Sequence, residues 1–143
     1  MTDDQKRKIP HLHPVCVHFP QALFPVAFAA TLIYLVLGIR EFEAGAYVCV
    51  LLGLLSVPVA ALSGVIDWKL RFRGAMTRVF KIKMAGSGLL VILALPAVLL
   101  RASHPELLLH PIQDAGWGYL LLLAACAADC TVLGFYGGRL VFH

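Results

Sequence analysis

Charged residues along the 143-residue chain mark the borders of long apolar blocks and stay out of their interiors. Phe19 to Ile39 and Ala44 to Ile66 contain no Lys, Arg, Asp or Glu. Met84 to Leu100 is a third such block, extended toward Val79 if Lys81 and Lys83 snorkel to the interface. The fourth, Ala115 to Gly138, carries one charge, Asp129, in its C-terminal half. A helix rises 1.5 Å per residue, so about 20 apolar residues cross the hydrocarbon core of a bilayer. The pattern predicts an all-α integral membrane protein, one four-transmembrane-helix bundle over residues 1–143, with helices at about 19–39, 44–66, 79–100 and 115–138.

Composition agrees: 60% of residues are hydrophobic, 14% are charged and the mean hydropathy is +0.84, far from the polar surface a soluble domain of this size needs. Lys6, Arg7 and Lys8 before an apolar run, with Ala27-Phe28-Ala29 resembling a cleavage site, imitate a signal peptide. The run continues to Ile39 and three more blocks follow, so the first reads as an uncleaved anchor. Pro25, Pro58 and Pro96 fall inside spans, where neighbouring helices can satisfy the freed carbonyls.

Charge adds orientation. Lys6, Arg7, Lys8, Lys69, Arg71, Arg73, Arg78, Lys81, Lys83 and Arg139 fall on the side of the termini, and only Arg40 and Arg101 on the other. By the positive-inside rule both termini are cytoplasmic. The net charge of +4 reflects this asymmetry, with some attraction to anionic lipid, and no nucleic-acid partner is implied.

The chemistry clusters at the same end. His11-Leu12-His13-Pro14-Val15-Cys16-Val17-His18-Phe19-Pro20 places three histidines at the entrance of the first helix. Pro14 and Pro20 are expected to make that entrance irregular, which would turn His13 and His18 toward a common point. Asp67 and Trp68 close the second helix, Lys83 opens the third, and Asp129 and Tyr136 lie on the fourth. Ionisable groups inside a membrane cost roughly 2.5–3.5 kcal/mol each at a helix centre, so they usually face the bundle and serve a function. Asp129 is the strongest pointer, with Lys83 as its expected counter-ion; a register-fixing neutral pair is the plainer alternative. Cys126 and Cys130, one turn apart, flank Asp129 and read mainly as small packing residues. Arg101, His104, Glu106, His110 and Asp114 are expected to be solvated residues of the opposite loop.

His-Pro-x-x-Val-His-Phe-Pro at His13 to Pro20, Gly-x-x-Asp-Trp at Gly64 to Trp68 and Gly-Gly-x-Leu-Val at Gly137 to Val141 resemble the bacterial membrane proteins of domain-of-unknown-function family 2231, over nearly the whole chain. The resemblance implies a four-helix membrane domain with a haem- or quinone-linked role. Many members carry a histidine where this chain has Lys83, which removes one possible haem ligand here.

A haem b would take His18 first and His13 second as ligands, which are also the candidate metal ligands. A quinone would use His18 with Asp67 or Asp129 for protons and Trp68 or Tyr136 as donor. The sequence therefore favours a membrane redox component passing electrons, in contact with lipid and with a homodimeric or larger redox assembly. The alternatives are a small proton or ion pathway through Asp129, Lys83 and the histidines, and a structural anchor for a larger complex. No nucleophile-base set or phosphate loop points to stand-alone enzyme chemistry.

Overall fold

A computed structural model describes residues 12–71, 76–110 and 115–142, with the side chains of residues 12–15, 67, 71 and 139–142 outside the description. Four helices follow one another: α1, Leu12–Leu37; α2, Arg40–Arg71; α3, Arg78–Ser103; and α4, Gly116–Phe142. Among the described residues there are no strands. Each helix packs on its predecessor and α4 returns to α1, closing a ring in which the α2–α3 seam has the sparsest contact. All four are long and apolar enough to cross a membrane, over Cys16–Leu37, Arg40–Leu70, Arg78–Ser103 and Gly116–Gly138. The protein is a multi-pass membrane protein.

Helix ends follow local chemistry. Gly38 ends α1 with a φ of +69°, its N–H donating to the Tyr34 carbonyl at 2.7 Å, a left-handed cap that glycine adopts without a Cβ penalty. Glu41 and Glu43 occupy the first turn of α2, where the helix dipole favours carboxylates. Thr77 caps α3 by accepting from Phe80 N–H at 3.2 Å. All four helices begin before the expected boundaries or run past them, because termini tolerate charges at the headgroups. At 32 residues α2 is about 48 Å long against a core of about 30 Å, so both of its ends reach the interfaces. Trp68 and Trp117 lie near opposite ends of the bundle, as interfacial tryptophans do.

The expected irregular entrance to α1 is not found: the helix is continuous from Leu12 through Pro20 and Pro25. Pro14 falls in the first turn, where a missing N–H costs no helical bond. Residues five apart on a continuous helix lie about 140° apart, so the α1 backbone does not direct His13 and His18 to one point.

Packing uses small residues for close approach, as expected where lipid removes the hydrophobic drive between helices. A Cβ on Gly53 would come 3.0 Å from the Phe24 ring, and one on Gly86 would meet Leu133 Cδ2 at 2.5 Å. Ala27, Ala46, Ala94 and Ala97 are buried beside Phe24, Val50, Leu90 and Leu123, while Leu55, Leu62, Ile92 and Leu121 face outward.

Candidate functional site

The α2–α3 seam is closed at one end and open along the other half. Near the start of α2 and the end of α3, Arg101 binds the Glu43 carboxylate with two N–H groups, Nε to Oε1 and Nη2 to Oε2, the latter at 2.8 Å. The guanidinium also lies over the Tyr47 ring, 5.4 Å from its centroid. These side chains keep only 15% and 13% of their exposure. Arg101 is thus a partly buried clamp in the last turn of α3, a correction to its expected place in a solvated loop. His104, Glu106 and His110 are exposed as expected, and Asp114 lies outside the described residues. Leu107 and Leu108 of the same connector are buried, so the connector folds back onto the helices instead of hanging in water.

Toward the termini the seam opens into a cleft of about 360 Å³. Its outer lips, Pro58, Ala61 and Val65 of α2 and Met84 and Gly88 of α3, are exposed. Its floor, Ala60, Leu90, Cys130 and Leu133, is buried. The opening therefore faces sideways, where membrane spans meet lipid. On α3 the lining runs from Thr77 to Val91, about 20 Å of helix.

Polar groups sit mainly at the terminal end of the cleft: Thr77, Lys83, and the Trp68 indole, which stacks on Phe80 with centroids 4.9 Å apart and planes 13° apart. Gln21 and Ser87 line it further in, and Val57, Leu90, Val91 and Leu133 form the apolar inner half. Lys83 does not snorkel outward like exposed Lys81; it is half-buried, with Nζ 3.7 Å from where a Gly137 Cβ would stand.

Of the residues singled out in the sequence, Trp68 and Lys83 reach this cleft. His18 is exposed and does not line it, although Val17, Pro20 and Gln21 beside it do. Tyr136 is half-buried, its ring edge-on to Phe135, and is not a lining residue. The side chains of His13 and Asp67 lie outside the described residues.

Asp129 is half-buried and its Oδ2 is buried with no hydrogen-bond partner. It does not pair with Lys83, because Lys83 reaches α4 at Gly137, eight residues beyond Asp129 and about 12 Å further along the helix. Cys126 and Cys130 are buried free thiols, and Cys130 Sγ donates to the Pro20 carbonyl at 3.5 Å. Among the described residues no three His, Cys, Asp or Glu side chains gather where they could hold a metal ion.

Charge counting missed Gln21, Thr77, Phe80 and Ser87. Gln21 had a legible signal, a lone amide within an uncharged span; Phe80 and Ser87 had none, since nothing in a single sequence tells which face of α3 meets α2.

Fold and cleft together define a small polytopic membrane protein with a lateral, lipid-facing cleft at one end of a helix ring. Residues 9–143 match the family model described as "Predicted membrane protein (DUF2231)", and the chain belongs to that family. No curated protein matches the chain, and no solved structure matches it.

Proposed function

We propose that this chain is a membrane redox component that holds a quinone in the α2–α3 cleft and takes part in electron transport with a partner, either a second copy or a larger redox complex. It sits in the bacterial cytoplasmic membrane with both termini cytoplasmic, as the distribution of basic residues directs. The observation that carries the reading is the cleft: apolar, open toward lipid, and supplied at one end with an ammonium group and an indole. A ligand that lives in the bilayer and carries hydrogen-bond acceptors on a ring suits those features.

Between haem and quinone, the lining favours quinone: it contains no histidine among the described residues, and a quinone needs no axial ligand.

Protein purified in mild detergent tests this directly, by its oxidised and dithionite-reduced spectra together with solvent extraction and ultraviolet redox difference spectra of the extract. Near-stoichiometric extractable quinone without a Soret band is the expected result. A stoichiometric Soret band would replace quinone by haem, and a preparation carrying neither would remove the redox reading.

One observation favours a second reading. The unpartnered Asp129 oxygen suits a proton pathway, since a membrane-buried carboxyl without a fixed partner is a natural proton carrier. Proton flux into vesicles, lost in Asp129→Asn but unaffected by filling the cleft, would establish that reading instead.

A further inference from the structure

We infer that the cleft binds its quinone in one direction, with the ring at Lys83 and the Trp68–Phe80 stack and an isoprenoid tail running inward to Leu90 and Val91. This deepens the quinone reading and rests on it.

The cleft is polar at one end and apolar at the other. Lys83 offers up to three N–H donors and uses none on a described acceptor, so a ring oxygen can receive them. Trp68 and Phe80 stand nearly parallel beside it, an aromatic wall for a flat ring. From Lys83 to Val91 is about 12 Å of α3, lined by Ser87, Gly88 and Leu90 and faced by Val57 and Leu133. A Cβ on Gly88 would have nothing within 4 Å, so the helix leaves the channel open at that point.

The membrane sharpens the direction. A tail leaving lipid for an apolar cleft gains little hydrophobic free energy, because lipid tails are as apolar as leucine. Discrimination must therefore come from the head, and Lys83 is the cationic side chain lining the cleft. Lys83 is on this account the specificity-determining residue, and the inner half reads only that the ligand carries an apolar tail.

Two single-tryptophan proteins in lipid nanodiscs, titrated with ubiquinone-2, test the orientation through quinone quenching of fluorescence. One retains Trp68 in a Trp117→Phe background. The other carries Trp68→Phe, Trp117→Phe and Ile92→Trp, an exposed position beside Val91 that leaves the channel unfilled. Saturable quenching that is at least twofold deeper for Trp68 is expected. Deeper quenching of the inner reporter would overturn the orientation while leaving quinone binding intact, and no saturable quenching in either protein would remove the quinone reading with it.

In the Trp68 reporter, Lys83→Met should weaken binding at least tenfold and Lys83→Arg by less than about threefold, with both variants checked for an unchanged elution profile. Equal binding by Lys83→Met would overturn head recognition by Lys83. Should Lys83→Met fail to assemble, Gly88→Phe supplies the second test: blocking the channel must abolish saturable quenching, and undiminished binding would show that the tail does not run there.

Discussion

The two halves of the α2–α3 seam solve opposite problems with the same pair of helices. At the end remote from the termini, Arg101 and Glu43 hold the helices together through a two-point ion pair capped by the Tyr47 ring, so these polar groups are satisfied. At the terminal end, Lys83 has no described counter-ion and the helices leave a cleft between them. A satisfied polar group inside an apolar medium fixes geometry; an unsatisfied one is kept at a cost in stability and is available for a ligand. Closure and the cleft thus fall at different ends of one seam.

The comparison is most easily broken at the clamp. Arg101→Ala strands the Glu43 carboxylate among buried neighbours and is expected to cost about 3 kcal/mol, read by denaturation in detergent. Glu43→Gln, which keeps two acceptor or donor positions, should cost less. If Arg101→Ala unfolds like the parent, the clamp contributes nothing and the contrast fails.

Next is Gly86 on the packed face of α3. Gly86→Ala drives a Cβ into Leu133, which has to move, and about 1–3 kcal/mol of destabilisation is expected by the same measurement. A smaller loss, about 1 kcal/mol, should follow Trp68→Ala, which removes the stack on Phe80 at the mouth of the cleft.

The smallest effect belongs to Gly88, two residues from Gly86 but facing the cleft. Gly88→Ala meets open space and should stay within about 0.5 kcal/mol of the parent. Equal losses at Gly86 and Gly88 would mean that the seam is packed throughout and that no cleft exists in the folded protein.

The legibility of these features differs by residue. The four spans could be read because each block is longer than any soluble core strand and, Asp129 apart, lacks charge, whereas their ends could not, since Arg40, Glu41 and Lys69 continue helices outside the hydrocarbon where charge carries little penalty. Lys83 and Trp68 could be picked out as polar groups at a span border, and both line the cleft. His18 drew notice for the same reason but is exposed, because the helix is regular through Pro20 and its phase turns Val17 and Gln21 inward instead. Pairing Asp129 with Lys83 rested on their shared end of the bundle; their separation along α4 is a matter of helix register, which composition does not encode.

By itself, then, the sequence determined that this protein crosses a membrane four times and that its ionisable groups gather toward one end, because hydropathy and charge act residue by residue against the bilayer. The tertiary structure alone decided which of those groups share a cavity, that Arg101 locks to Glu43, and that Lys83 reaches α4 at Gly137. Those outcomes depend on helix phase and on which seam packs loosely, and both are settled only when four helices compete for the same neighbours.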